Sequence, residues 1–151
     1  MIFAYFTPNL KIYAIISKKQ PIIIMAHTLL LITKSPHDRQ GKEALTTATT
    51  LLDNGERVSV FFYGDGAYTA NRLAWQSADV PDVARLWVAL AKRYHLDLPV
   101  CVSTALARGI SDADNASRHG LDGENILPPF RLVGLSELAL HIDDDTQLVQ
   151  F

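Results

Sequence analysis

The sequence predicts an α/β domain with three layers, in which helices cover both faces of a mainly parallel sheet. The first reason is a continuous apolar run of strand length at residues 28–33, which is typical of a strand covered on both faces. The second is the order strand, helix, strand between residues 28 and 63, which is the pattern of a βαβ unit.

The first three elements follow from local patterns. A helix is predicted over residues 41–52, where apolar side chains recur at helical spacing, and Asp53-Asn54-Gly55 ends it. Residues 58–63 are β-branched and aromatic, which favours a second strand. Residues 64–71 follow this strand on the side where open α/β sheets bind ligands, so we expect them to line the functional edge.

The second half of the chain continues the alternation. A helix is predicted over residues 81–91, with Pro81 in its first turn and an apolar stripe formed by Val83, Leu86, Trp87 and Leu90. Residues 98–102 form the third predicted strand, and a helical segment through Ala105 follows it. We expect a polar loop over residues 111–125, a last helix over 135–141 and a terminal strand over 147–151.

Length and composition favour one globular domain, at residues 25–151, preceded by a separate segment at 1–24. The chain has 151 residues, of which 48% are hydrophobic and 20% charged. Lysines and prolines break the apolar stretches of residues 1–24, so this segment does not fit a membrane helix. It also makes a poor signal peptide, because no positive charge precedes its first apolar run and no small-x-small cleavage site follows. It is either a disordered or loosely docked extension or the product of an upstream start codon. We favour the second, with Met25 as the natural first residue.

Charge and cysteine content narrow the function classes. The net charge of the chain is −2, and residues 25–151 carry 11 basic against 16 acidic residues. This balance argues against direct binding of nucleic acid, which needs clustered Lys and Arg. A lone cysteine cannot form an internal disulfide, so the cytoplasm is the expected compartment.

Several common chemistries find no support in the sequence. Gly64-x-Gly66 lacks the third glycine of a dinucleotide fingerprint, so a turn is expected there. The five histidines show no metal-ligand spacing and are expected to be surface or capping residues. Asp143-Asp144-Asp145 is interpreted as a solvated turn. We therefore predict no cofactor and no metal.

Cys101 is the residue whose position has a chemical use, because it lies where a predicted strand gives way to a helix. Unpaired N–H groups and the dipole at a helix N-terminus lower the pKa of a thiol from about 8.5 to about 3.5–7.5. We predict that Cys101 is an exposed catalytic nucleophile and that Cys101→Ser leaves folding nearly intact. The alternative is a packing role, because free cysteines are among the most buried residue types.

Neighbouring residues could support this thiolate. Ser103 or Thr104 would cap the helix, and Arg108 would add positive charge if its side chain reaches back. Three further residues are candidates for the surroundings of the sulfur: Tyr63, Asp65 and Asn71. Because the chain has no second cysteine, the reaction partner of Cys101 must lie on another molecule.

Several separated motifs together resemble the TusD/DsrE family of small sulfur-relay proteins, most closely its TusD branch, over residues 25–151. The first group is Phe61-Phe62-Tyr63, Gly66-Ala67-Tyr68 and Ala70-Asn71-Arg72-Leu73. The second is Val100-Cys101-Val102, Ala105-Leu106, Arg108-Gly109, Gly134-Leu135 and Val149-Gln150-Phe151. The resemblance implies a DsrE-like domain of flavodoxin-like topology.

The resemblance also implies a function. Cys101 would be a sulfurtransferase residue that accepts sulfane sulfur as a persulfide from an upstream donor protein and passes it to a downstream acceptor protein. The resemblance implies that the chain assembles with two related subunits into a heterohexamer and makes no contact with a membrane. It also implies that the transferred sulfur is used for 2-thiolation of the tRNA wobble uridine. Three alternatives stay open: dissimilatory sulfur oxidation, a non-catalytic structural subunit, and a flavodoxin-like binder with its ligand near Tyr63 and Cys101.

Overall fold

A computed structural model describes residues 13–17, 20–24 and 26–151. Five strands form one sheet in the order β6-β5-β4-β3-β7, and each of the four adjacent pairs is parallel. The strands are β3 (His27–Ile32), β4 (Arg57–Phe62), β5 (Leu98–Cys101), β6 (Phe130–Val133) and β7 (Thr146–Gln150). The predicted parallel α/β/α architecture is confirmed.

Helical elements connect these strands. The helices are α1 (Arg39–Asp53), α2 (Val83–Tyr94), α3 (Val102–Leu106), α4 (Ala113–His119) and α5 (Ser136–Leu140), with a 3-10 helix at Gly64–Ala70. None of the helices in the described part of the chain is long and apolar enough to cross a membrane.

A second, two-stranded sheet lies in the N-terminal segment. Strands β1 (Tyr13–Ser17) and β2 (Gln20–Ile24) pair antiparallel. Residues 1–12, 18–19 and 25 lie outside the described residues, and with them most of the predicted extension and Met25 itself. The choice of Met25 as the natural first residue stays a prediction.

The main core covers one face of the five-stranded sheet. Strand residues such as Leu30, Val60 and Phe62 point to this face and pack against α1 and α2. Trp87 of α2 is fully buried there, and its ring meets that of Phe62 edge to face, with 5.3 Å between the centroids. The opposite face carries a smaller cluster, formed by Leu29, Phe61, Cys101 and Val133.

The helix predicted at residues 81–91 is displaced along the chain. It begins at Val83, because the side chain of Asp82 caps it by accepting the N–H of Arg85 at 3.1 Å, so Pro81 lies outside. Leu86, predicted in the buried stripe, is 47% exposed, whereas Val88 is buried. The prediction for Leu86 was wrong. The buried face of α2 is formed by Val83, Trp87, Val88, Leu90 and Ala91.

The region from residue 111 to residue 134 holds two elements that the sequence interpretation missed. Helix α4 lies within the predicted polar loop, with Asp112 as its N-cap and Ala116 as its buried residue. Strand β6 follows that loop and pairs with β5 in parallel, with Cys101 opposite Val133. Helix α4 contains few apolar side chains, and β6 has only four residues with Arg131 among them, which is why the pattern did not reveal them.

The histidines divide into two groups. His95 and His141 are the C-cap residues of α2 and α5, as the capping interpretation predicts. His27 is only 3% exposed, so the surface or capping prediction is wrong for it. The structure shows no group of three or more His, Cys, Asp or Glu that could hold a metal among its described residues.

His27 is held in a buried polar site at the start of β3. Its Nε2 lies 2.9 Å from Ser59 Oγ, and its Nδ1 lies 3.2 Å from Thr146 Oγ1. Burial lowers the pKa of His27 below its ordinary value of 6.5, and the charges nearby are Arg57 and His141, which also lower it, and Asp143, which raises it. His27 is therefore favoured in its neutral form.

Candidate functional site

Cys101 lies at the carboxyl end of β5, and α3 begins at the next residue. It is the N-cap residue of α3, with φ −60° and ψ 118°, but its side chain makes no capping hydrogen bond. The predicted junction of strand and helix is therefore present. Its position is at the edge of the sheet where open α/β folds bind their ligands.

The thiol of Cys101 is buried rather than exposed. Only 2% of the residue is accessible, and it belongs to the apolar cluster with Leu29, Phe61 and Val133. Side chains alternate along a strand, so Val100 points into the main core while Cys101 points to the opposite face. The expectation of a surface thiol was wrong, because this face is covered where β5 ends, with Leu138 of α5 packed against the cluster.

The predicted capping residues have another role. Ser103 and Thr104 lie inside the first turn of α3, since Cys101 occupies the N-cap position. The Thr104 hydroxyl donates to the carbonyl oxygen of Cys101 at 3.2 Å, so it stabilises the turn without reaching the N-terminal N–H groups. The prediction that Ser103 or Thr104 caps the helix was wrong.

Two of the predicted neighbours, Arg108 and Asp65, meet each other. The Arg108 guanidinium donates to Asp65 Oδ1 through Nε at 3.0 Å and Nη2 at 2.8 Å, and to the Thr104 carbonyl oxygen at 3.1 Å. It also lies over the Tyr68 ring, 5.8 Å from the centroid. The pair joins the segment just after α3 to the 3-10 helix, and the carboxylate of Asp65 balances the positive charge that Arg108 was expected to supply.

Tyr63 and Asn71 occupy different surroundings. Tyr63 follows β4 directly, and its N–H donates to the Ile32 carbonyl oxygen at 2.9 Å while its side chain is 38% exposed. The Asn71 side chain accepts from the Leu73 N–H at 3.0 Å and from Asn125 Nδ2 at 3.3 Å. Asn71 thus holds the loop after α4 in place.

Gly66 lets the 3-10 helix approach β3 closely. A Cβ at this position would lie 2.0 Å from the Ile32 carbonyl oxygen, a distance at which atoms overlap. The turn predicted for Gly64-x-Gly66 is confirmed as a 3-10 helix. The close packing of the 3-10 helix at Gly64–Ala70 against β3 therefore depends on this glycine.

A cleft of about 350 Å³ opens near the far end of α3. It is lined by Leu73, Leu106, Leu121 and Asn125 among other residues, with Asp122 and Glu124 on its rim. Cys101 and Tyr63 do not line this cleft. The cleft is therefore separate from the position at which a flavodoxin-like binder would hold its ligand.

Leu138, Glu137 and Arg131 are residues at the site that sequence reasoning missed. Leu138 packs on the cysteine cluster, and Glu137 pairs with Arg131 of β6. The residues 135–141 were predicted as a helix, but the pattern gave no indication of which strand end that helix covers. Helix α5 follows β6 in the chain, and β6 lies beside β5 in the sheet. This strand order brings α5 near the end of β5, and it could not be read from the sequence pattern.

Comparison with known proteins identifies the family. The model of the DsrE/DsrF-like family matches residues 26–151. The chain belongs to the DsrE/DsrF-like family. The resemblance seen in the separated sequence motifs is thereby confirmed.

The alignments with named relatives extend over most of this chain and nearly all of each relative. Sulfurtransferase TusD of Proteus mirabilis is 38% identical over 127 residues, which are 82% of this chain and 98% of that protein. Sulfurtransferase TusD of Serratia proteamaculans is 41% identical over 114 residues, which are 75% of this chain and 88% of that protein. The putative sulfurtransferase DsrE of Allochromatium vinosum is 38% identical over 124 residues, which are 81% of this chain and 95% of that protein.

A solved structure supports the fold. The crystal structure of the YchN protein from E. coli superimposes with a TM-score of 0.60, covering 85% of this chain and all of that one. Their sequences are 9% identical, so this likeness concerns the fold alone.

Proposed function

We propose that this chain is a sulfurtransferase of a sulfur relay and that Cys101 carries the transferred sulfur as a persulfide. The observation that carries the proposal is the position of Cys101, the one thiol of the chain, at the carboxyl end of β5 in a domain whose relatives are named sulfurtransferases. A thiolate is the nucleophile that sulfur exchange requires.

The proposed reaction has two exchange steps. The Cys101 thiolate attacks the terminal sulfur of a donor persulfide, a new S–S bond forms, and the donor leaves as a thiolate. An acceptor thiolate then attacks the outer sulfur of the Cys101 persulfide, and Cys101 is released as a thiolate. Each step breaks one S–S bond and forms another, so the relay needs no external oxidant or reductant.

Other proteins complete the proposed relay. The donor and the acceptor must be separate molecules, because the chain has no second cysteine. We propose that this chain works in the cytoplasm within a heterohexamer of three related subunits and that the sulfur serves 2-thiolation of the tRNA wobble uridine. The acidic balance of the chain suits a subunit that passes sulfur to a protein and does not hold RNA itself.

Two alternatives each have an observation in their favour. The relative named putative sulfurtransferase DsrE favours sulfur oxidation as the destination of the sulfur. The burial of Cys101 favours a structural subunit in which the thiol only fills the core. In the first alternative Cys101 still carries sulfur as a persulfide, whereas in the second it takes no part in a reaction.

Deletion of the gene, followed by mass spectrometry of tRNA nucleosides, tests the proposal in the cell. We expect the 2-thiouridine derivative of the wobble position to be lost and to be restored by the unchanged chain and by Ser103→Ala, but not by Cys101→Ala at equal protein level. Undiminished thiolation in the deletion strain would contradict the tRNA destination. Restoration by Cys101→Ala would contradict the carrier role of the thiol.

A further inference from the structure

The proposed chemistry and the burial of Cys101 are in conflict unless part of the fold moves. A sulfur that is attacked by a protein thiolate must be reached along its S–S axis, yet Cys101 is 2% exposed. Its cluster faces away from the main core, and the helical side chain packed against it is Leu138 of α5. Leu138 therefore connects α5 to the cluster in which the thiol is buried.

Helix α5 is weakly anchored. It has five residues, and none of these five, all of which the structure describes, is buried. The N–H groups of Glu137, Leu138 and His141 donate to carbonyl oxygens three residues back, so these bonds lie within the segment itself. A helix this short is not stable without tertiary contacts.

The side chains of Leu138 and Glu137 join α5 to the rest of the fold, and the Thr146 hydroxyl of β7 donates to the carbonyl oxygen of His141, the C-cap residue of α5, at 3.2 Å. Leu138 packs on the cysteine cluster. Glu137 pairs with Arg131, where Arg131 Nη1 lies 3.1 Å from Glu137 Oε2, and Arg131 Nε also donates to Asp97 Oδ1 at 2.9 Å. Glu137 and Arg131 are partly exposed, so their attraction is screened by water and contributes little. Leu138 is the stronger anchor.

We infer that α5 is a gate over Cys101, held closed by Leu138 and assisted by the Glu137–Arg131 pair. Opening lifts Leu138 off the cluster and exposes the sulfur, while the sheet and the main core stay folded. Leu135, Leu140 and Ile142 of the same segment are already 51%, 83% and 50% exposed, so Leu138 is the apolar residue that opening would uncover most. The use of this gate for sulfur transfer rests on the proposed function, but its existence does not.

Alkylation of Cys101 by iodoacetamide, followed by mass spectrometry, measures the opening directly. We expect the unchanged chain to react about a hundredfold more slowly than the same chain unfolded in urea, because iodoacetamide can reach the thiol only in molecules that have opened locally. Leu138→Ala removes part of the anchoring apolar contact and should raise the rate about tenfold. Leu140→Ala is the matched control, since Leu140 is on the same helix but 83% exposed, and it should leave the rate within about twofold.

The dependence on urea separates a local gate from global unfolding. At low urea, a local opening exposes little surface, so the alkylation rate should change little, whereas global unfolding would make it rise steeply. Equal rates for the Leu138→Ala and Leu140→Ala variants would overturn the gate, as would a steep urea dependence or a parent chain that reacts as fast as the unfolded one. If Leu138→Ala opens the thiol but no persulfide forms from a persulfide donor, the gate stands and the proposed function fails.

Discussion

Replacement of Cys101 by serine should destabilise the fold, although the sequence alone indicated a harmless change. The thiol lies among Leu29, Phe61 and Val133, where a serine hydroxyl finds apolar neighbours. Cysteine tolerates such surroundings because its S–H is a weak donor, but a hydroxyl gives up strong hydrogen bonds with water. Alanine at the same position introduces no polar atom and is the matched control.

Three contributions to the free energy of unfolding have to be considered. Loss of the buried sulfur atom costs about 1 kcal/mol in either variant. The unsatisfied hydroxyl of serine adds about 1–3 kcal/mol. Serine at an N-cap can recover about 1 kcal/mol by accepting an N–H of the first turn of α3, but the Cys101 side chain makes no such bond and points into the cluster. We therefore expect Cys101→Ala to cost about 1 kcal/mol and Cys101→Ser about 2–4 kcal/mol.

Urea unfolding followed by circular dichroism measures both values, provided that the slope with urea is unchanged. The predicted order of stability is the unchanged chain, then Cys101→Ala, then Cys101→Ser. A serine variant more stable than the alanine variant would contradict this order, because it would mean that the hydroxyl makes a capping hydrogen bond or is hydrated. In functional experiments, Cys101→Ala is therefore the better inactive variant.

Further predictions address the fold around the site. His27 has a lowered pKa in the folded chain, so the unfolded chain binds its proton more readily. The contribution of neutral His27 to the free energy of unfolding is therefore fully present above about pH 6.5 and is lost as the pH falls. His27→Gln should reduce the decrease in the free energy of unfolding, measured with urea, below that pH. Gly66→Ala should destabilise the fold by about 1–3 kcal/mol or more, because its Cβ would overlap the Ile32 carbonyl oxygen, and thermal melting at an unchanged midpoint would contradict this contact. Trp87→Ala should cost about 3–5 kcal/mol in urea unfolding, because the ring is fully buried against Phe62, and a cost below about 1 kcal/mol would be inconsistent with that packing.

The elements that the sequence predicted correctly are those with strong local patterns. Strands β3 and β4 are nearly continuous apolar or β-branched runs, and α1 has an apolar stripe followed by a turn that ends it. Their order also implied a parallel sheet. The junction at Cys101 was predictable for the same reason, because a short apolar strand is followed directly by residues that favour a helix.

The remaining features depend on contacts between distant residues. Strand β6 has four residues with Arg131 among them, and α4 buries little besides Ala116, so neither carries a clear periodic signal. The cluster that contains Cys101 is packed by Leu138 of α5, which lies more than 30 residues later in the sequence. The pairing of Arg108 with Asp65 joins two separate segments in a similar way.

The intact mass of the chain after incubation with glutathione persulfide shows whether Cys101 carries sulfur. We expect a gain of one sulfur atom that a reductant removes, present on the unchanged chain and on Leu138→Ala and absent from Cys101→Ala. Because Cys101 is the only cysteine, such a gain assigns the persulfide to it. No gain on either cysteine-containing chain, while the same reagent loads a reference thiol protein, would contradict the role of Cys101 as a sulfur carrier.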